Sequence, residues 1–178
     1  LLAEVGYHEI GMDHFALKTD SLYRAMESGS LHRNFMGYTA SKTQLMIGLG
    51  VSSISDSWYS FAQNVKSIEE YEHLVNSDII PIYRGHILTE EDQIIRKHIL
   101  NLMCHFETSF EKKESRFPDL NITLSKLEEI KNDHLIEITN NKIFVTEKGR
   151  PFVRIICMAF DMHLHKKAPE TRLFSMTI

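Results

Sequence analysis

Cysteine is scarce in this chain, with only Cys104 and Cys157 among 178 residues. Two thiols in a chain of this length build no disulfide framework, and their scarcity points to a reducing, cytoplasmic setting. No apolar run approaches the roughly eighteen residues that a membrane-spanning helix needs, so no membrane association is expected. No basic block is present either. Up to Leu88 there are 6 Lys and Arg against 10 Asp and Glu, and from Thr89 onward 14 against 14. A chain balanced in this way lacks the footprint of a nucleic-acid binder. The start, Leu1-Leu2-Ala3-Glu4-Val5, has no basic region and no cleavage signal, which excludes a secretory leader there. It also has no initiating Met, and the chain is expected to be a piece of a longer protein. There is no internal repeat and no low-complexity segment.

What is present is an ordinary globular composition, 43% hydrophobic and 25% charged. The length suffices for one sizeable domain or two small ones. Leu1 to Val5 reads as a last helical turn stopped by Gly6. Tyr7 to Phe15 reads as a mostly apolar strand with Asp13 and His14 at its far end. Ser21 to Glu27 is a short helix closed by Ser28-Gly29. Gln44 to Ile54 reads as a second apolar strand, interrupted by Gly48 and Gly50. Ser67-Ile68-Glu69-Glu70 is a capping box opening a helix through Val75. Ile79 to Leu88 is strand-like, and Pro81 puts it at a sheet edge. Strands alternating with helices predict a parallel α/β layout. Too few strands are present to close a barrel, so residues 1–88 are expected to be the terminal part of a partial TIM-like α/β barrel.

From Thr89 the pattern becomes helical. Thr89 caps a helix to about Phe106, with Ile94, Ile95, Ile99, Leu102, Met103 and Phe106 on one face. Phe117-Pro118-Asp119 breaks the chain, and Leu124 to His134 is a second helix with Leu124, Leu127 and Ile130 on one side. Leu135 to Thr139 and Lys142 to Thr146 alternate around Asn140-Asn141, the signal of a type I′ hairpin. Gly149-Arg150-Pro151 opens an apolar helix to about His165. Residues 89–178 are thus expected to form a mostly helical, winged-helix-like domain, with the boundary at Leu88.

Three places could carry chemistry. Asp13 and His14 would sit at the C-terminal end of a barrel strand, the end that faces the reaction chamber in such folds. Neighbours on a strand point to opposite faces, so one would face the chamber and the other pack outward. His32-Arg33-Asn34 sets a cation beside hydrogen-bonding groups, and arginine suits bidentate pairing with carboxylates. A loop arginine in one structural ion pair fits the same residues. Gly48-Leu49-Gly50 permits close backbone approach, although a Gly-x-Gly strand by itself reads first as core packing. Cys104 and Cys157 fall on apolar helical faces, where cysteine behaves as a small hydrophobe. His163 and His165, i and i+2 on a helix, point about 200° apart and cannot share one metal. With Lys166 and Lys167 they read as a solvated helix end, and no metal site is expected.

The runs Ile10-Gly11-Met12-Asp13-His14-Phe15-Ala16, Leu31-His32-Arg33-Asn34-Phe35-Met36-Gly37-Tyr38-Thr39 and Gly48-Leu49-Gly50-Val51-Ser52-Ser53-Ile54-Ser55, in this order and spacing, resemble the oxygen-independent coproporphyrinogen III oxidases (dehydrogenases) of haem biosynthesis. The resemblance continues through Tyr83-Arg84-Gly85 and Thr146-Glu147-Lys148-Gly149-Arg150 to Phe174-Ser175-Met176-Thr177-Ile178. It implies a radical S-adenosylmethionine enzyme that converts two propionates of coproporphyrinogen III to vinyls, giving protoporphyrinogen IX. It also implies a 4Fe–4S cluster held by a C-x3-C-x2-C motif. Two isolated cysteines cannot supply that motif, so the chain looks like the C-terminal portion of such an enzyme and is expected to be inactive alone. By the same resemblance, Phe35, the residue after it and Ile54 line a second S-adenosylmethionine site. Relatives carry Gln after the Phe, and here Met36 lacks that amide. Asp13, His14 and Arg33 are the catalytic candidates, and the intact protein is expected to be a monomer with no nucleic-acid partner.

Two other functions have their own sequence requirements. A haem-chaperone relative of the same superfamily would read Ile-Ser-Asn-Phe-Ala where this chain has Met12-Asp13-His14-Phe15-Ala16. A non-catalytic winged-helix binding module would need a basic reading helix. Leu124 to His134 offers Lys126 and Lys131 offset by Glu128, Glu129 and Asp133.

Overall fold

The computed structural model describes residues 1–163. After a 3₁₀ turn at Ala3–Val5, Gly6 turns the chain with a left-handed φ of 86°. Strands β1 (Tyr7–Gly11) and β2 (His14–Leu17) form an antiparallel hairpin. The single strand expected over Tyr7 to Phe15 therefore folds back on itself. Met12 takes a positive φ of 53°, and Gly11 pairs with His14 across the turn. Helix α1 (Ser21–Glu27) has the expected bounds. Asp20 caps it by accepting the Leu22 N–H at 2.7 Å. A second hairpin, β3 (His32–Asn34) with β4 (Gly37–Thr39), turns over Phe35 and Met36.

A four-stranded sheet follows, in the order β5-β6-β7-β8: β5 (Leu45–Met46), β6 (Ile54–Ser57), β7 (Ser60–Asn64) and β8 (Ile82–Ile87). Helix α2 (Ile68–Asn76) connects its last two strands. The apolar strand expected over Gln44 to Ile54 is realised only at its ends. Between them the backbone loops out, with Gly50 at φ 96° and Ser52 at φ 58°. Buried Asn64 holds the loop, donating from Nδ2 to the carbonyls of Gly48 (3.2 Å) and Gly50 (2.9 Å). Gly48 is needed for close approach, since a Cβ there would lie 2.8 Å from the Ile54 carbonyl oxygen. At the start of α2, Ser67 accepts the Glu70 N–H as expected. Its hydroxyl donates to Glu69 rather than being matched by Glu70 reaching back. Strand β8 lies at the sheet edge, as Pro81 predicts.

Every strand ladder among the described residues is antiparallel. The parallel strand–helix–strand layout is therefore not realised. Short hairpins supply the neighbours that crossover helices would otherwise have had to bring.

Helix α3 (Glu90–His105) opens on a complete capping box between Thr89 and Asp92 and closes on Phe106 at φ 58°. Strand β9 (Glu107–Ser109) leads to α4 (Leu120–Asn132), which starts earlier than expected, directly after Phe117-Pro118-Asp119. Strands β10 (Ile136–Thr139) and β11 (Lys142–Val145) turn through Asn140 (φ 48°) and Asn141 (φ 63°), both left-handed as a type I′ turn requires. With β9 they make a sheet ordered β10-β11-β9. Helix α5 (Val153–Met158) follows a 3₁₀ turn at Arg150–Phe152. It stops short of the expected His165. The N–H groups of Ala159, Phe160 and Asp161 each reach back three residues, tightening the turn. That turn seats fully buried Phe160 beside Phe110, Phe117 and His98. His165, Lys166, Lys167 and the Phe174–Ile178 motif lie outside the described residues.

Two apolar clusters result. One joins Ile10, Ala16, Ala25, Leu31 and Tyr38 to Cys104 of α3. The other gathers Ile95, Leu102, Phe110, Leu127, Ile143, Ile156 and Phe160, with every buried member drawn from beyond Leu88. No helix among the described residues is long and apolar enough to cross a membrane.

Candidate functional site

The turn of the β3–β4 hairpin leans over the sheet and over α3. The Phe35 ring meets Phe61 of β7 edge to face, with centroids 5.1 Å apart. Beneath them lies a hollow of about 210 Å³, walled by Arg33, Asn34, Phe35 and Phe61 and bordered by Asp56 and Arg96. Arg33 lies over the Tyr38 ring, its guanidinium carbon 4.7 Å from the centroid. Its Nη1 is buried with no hydrogen-bond partner among the described residues. A buried guanidinium N–H left open in this way is costly unless an acceptor arrives, and a carboxylate is its natural complement.

The floor is held by a buried ion pair. Arg96 donates from Nη2 to Asp56 Oδ1 and Oδ2 at 2.8 and 3.0 Å, and from Nη1 to the Ser57 carbonyl at 3.0 Å. Its guanidinium also lies over the Trp58 and Phe61 rings, at 4.8 and 4.9 Å. These contacts fix β6 and the wall residue Phe61 against α3.

Asp13 and His14 adjoin this hollow through one ring. They occupy the tip of the β1–β2 hairpin rather than the end of a barrel strand. Asp13 is exposed and holds the His14 ring, with 3.0 Å between Oδ1 and Nδ1. The other edge of His14 packs on Tyr38, centroid to centroid 5.1 Å. Tyr38 donates its hydroxyl to the Met103 carbonyl at 2.8 Å. Burial pushes its phenol up to about 12 against the opposing charge of Arg33, so it stays a neutral donor. His14, Tyr38 and Arg33 therefore form one connected row.

The three residues implied for nucleotide binding are placed differently from one another. Phe35 is half exposed and forms a wall of the hollow. Met36 is 84% exposed, with only its backbone N–H fixed by Asn34 Oδ1 at 2.8 Å. Ile54 opens β6, partly buried, on the same sheet face as Asp56 two residues along. Phe61, Asp56, Arg96 and Tyr38 escaped the sequence reading. Asp56 and Arg96 are isolated charges in unremarkable contexts, and only the long-range pairing gives them meaning. A larger hollow of about 480 Å³ lies nearby, with Lys42, Trp58, Lys97 and Cys104 among its lining. Burial, then Lys42 and Arg96, lower the pKa of His32 on its wall, while Asp56 acts in the opposite sense.

The two cysteines do not suit an iron–sulfur cluster. Both are buried, and burial pushes Cys104 up to about 11 and Cys157 to about 12, where thiolate ligands are disfavoured.

No protein-family model matches the chain. The fold, however, is similar to part of a solved radical SAM enzyme. The structure of coproporphyrinogen III oxidase (HemN) from Escherichia coli superposes with a TM-score of 0.84 at 38% identity, over 92% of this chain and 39% of that one. Among curated proteins, the oxygen-independent coproporphyrinogen III oxidase of Pseudomonas aeruginosa is 40% identical over 168 residues, 92% of this chain. That of Escherichia coli is 39% identical over 173 residues, and that of Synechocystis 36% over 186. Over nearly its whole length the chain is similar to one part of the oxygen-independent coproporphyrinogen III oxidases. It spans 36 to 40% of the length of these relatives.

Proposed function

We propose that this chain is the part of a radical S-adenosylmethionine coproporphyrinogen III oxidase that walls and covers the substrate chamber. The intact enzyme oxidatively decarboxylates two propionates of coproporphyrinogen III to vinyls, giving protoporphyrinogen IX in haem biosynthesis. The observation that carries this reading is the 38% identity and 0.84 TM-score to the Escherichia coli enzyme over 92% of the chain.

In this reading Arg33 takes a substrate carboxylate on its Nη1, which has no partner among the described residues, and His14, positioned by Asp13 and Tyr38, stands at the rim as a proton carrier or donor. Phe35 and Ile54 give an S-adenosylmethionine its apolar wall, with Met36 contributing through its exposed thioether chain rather than through an amide. S-adenosylmethionine and a 4Fe–4S cluster supply, when bound, the hydrogen abstraction that starts decarboxylation. The cluster ligands must come from the part of the enzyme this chain does not span.

The antiparallel ladders favour a segment 1–88 that packs onto the enzyme's barrel rather than lending strands to it. Residues from Thr89 onward are read as a winged-helix-like cover. The face of α4 supports that role over nucleic-acid reading, because Lys131 is paired to Glu128 rather than free.

The test is a graft of this chain in place of the matching segment of the Escherichia coli enzyme, assayed anaerobically for porphyrin product. The graft should turn over, and Arg33→Ala in it should raise KM at least about tenfold, the loss of one charge-assisted pair. A folded, cluster-loaded graft without turnover overturns the reading, as does an Arg33→Ala graft with unchanged KM for the role of Arg33. Stoichiometric haem binding by the graft without turnover would favour the haem-chaperone alternative.

A further inference from the structure

We propose that His86, Asp92 and His163 form a site for one divalent transition-metal ion, tying β8, the first turn of α3 and the segment after α5 together. The ligand atoms of the three side chains all lie within 4.8 Å of one another. His163 Nε2 is 2.8 Å from Asp92 Oδ1, and His86 Nε2 is 3.3 Å from Asp92 Oδ2. The two imidazoles meet edge to face, 5.3 Å between centroids. Ligands bound at about 2.0–2.1 Å around a tetrahedral ion stand roughly 3.3–3.4 Å apart. The His86 spacing already has that value; on taking up an ion the His163–Asp92 hydrogen bond would open by about half an ångström and the two imidazoles would draw together.

The carboxylate is the fixed member. Asp92 is 11% exposed, and its Oδ2 accepts from the Thr89 N–H and from Thr89 Oγ1, each at 2.9 Å. This capping interaction orients the group as an outer-shell partner orients a metal ligand, with Oδ1 turned to His163 and Oδ2 shared between Thr89 and His86. The imidazoles are the mobile members, 49% and 60% exposed, and can rotate onto an ion. Two imidazoles and one carboxylate suit zinc, cobalt or nickel rather than magnesium or calcium. Three protein ligands leave a fourth position to water. None of the three residues belongs to the Arg33 hollow, and their positions in sequence follow no helical ligand spacing.

The test is calorimetric titration of zinc, and of magnesium as control, into the 178-residue chain. One zinc and no magnesium should bind per chain. His86→Gln and His163→Gln should each weaken zinc at least about tenfold, whereas His73→Gln, on the exposed face of α2, should not. Zinc at about a hundred times its Kd should raise the melting midpoint by roughly 5 °C or more. Absence of stoichiometric binding overturns the site. So does unchanged affinity in the His86→Gln/His163→Gln double variant, or an equal loss in His73→Gln. In each case the three residues are a hydrogen-bonded latch and nothing more.

Discussion

Cutting Asp56 back to alanine tests whether the ion pair at the floor of the hollow holds the four-stranded sheet to α3. Asp56 is 8% exposed and Arg96 14%. Removing the carboxylate strands a guanidinium that has little access to water. Loss of one partner of a buried pair costs about 3–5 kcal/mol. Arg96 would keep its bond to the Ser57 carbonyl and its contacts with the Trp58 and Phe61 rings, which places the expected loss at the lower end, about 3 kcal/mol. Asp56→Asn retains the shape and one neutral hydrogen bond and should lose about 2 kcal/mol. For a chain of this size 3 kcal/mol corresponds to roughly 6–12 °C in the melting midpoint.

The decisive measurement is the double-mutant cycle with Arg96→Met, followed by urea unfolding. Arg96→Met leaves the carboxylate unpaired, and the double variant removes both charges. Its loss should therefore be smaller than the two single losses added together, by at least about 2 kcal/mol. Additivity to within about 0.5 kcal/mol would show that the two side chains do not depend on each other, and the account of the sheet–helix joint would be wrong.

Four other outcomes are expected. Ile54→Ala in the intact enzyme should reduce turnover severalfold while costing only about 1–2 kcal/mol of stability, because the side chain is partly rather than fully buried; a midpoint shift that accounts for all lost activity would return Ile54 to a packing role. Burial lowers the pKa of His98 against the opposing Ser115 carbonyl, so the neutral ring's contribution is complete above about 6.5 and is lost as pH falls through the lower folded value; the urea midpoint should fall between pH 7 and 5, with His32 adding in the same sense, and His98→Gln should flatten that fall. Cys104 and Cys157 should resist alkylation at pH 8 until the chain unfolds, and anaerobic reconstitution should leave no stoichiometric iron–sulfur cluster on this chain; an absorbing, stoichiometric cluster would contradict both thiol environments. Residues 89–178 should melt cooperatively when expressed alone, whereas residues 1–88 should aggregate, since their cluster takes Cys104 from α3 and their edge strand β8 is fully exposed; a soluble, cooperatively melting 1–88 would show that α3 is dispensable to it.

The helices were legible because their signals are local. Asp20, Ser67 and Thr89 each cap where the sequence places a cap, and Asn140-Asn141 makes the turn it predicts. The small strands were not. Ile54-Ser55-Asp56-Ser57 and Ser60-Phe61-Ala62-Gln63-Asn64 carry few β-branched residues and no clean alternation. Their extended backbone is set by pairing with each other and with β8. The strand over Gln44 to Ile54 failed for a related reason. Its apolar run invites a strand, but the bonds that Asn64 makes to the Gly48 and Gly50 carbonyls favour a loop, and nothing near those glycines announces it. Arg33 and Phe35 were legible as a cation and an apolar group in one turn. The floor beneath them was not, because Asp56 and Arg96 meet from elements forty residues apart.

Helix α3 carries the argument for how the two regions of the chain act together. Its Ile95 and Leu102 face the cluster built from later elements, and its Cys104 faces the cluster built from earlier ones. Arg96 clamps the sheet, Met103 receives the Tyr38 hydroxyl, and Asp92 gathers His86 and His163. The proposed boundary at Leu88 would then divide folding competence and not mechanics. The Arg33 hollow takes its roof from the β3–β4 hairpin and its floor from the ion pair that α3 makes with β6. A displacement of α3 would therefore shift the floor against the Phe35–Phe61 wall and change the pocket that Arg33 opens into. Elements that fix α3 from the far side would in that way set the shape of a hollow to which α3 itself contributes Arg96, Ile99, Leu100 and Met103.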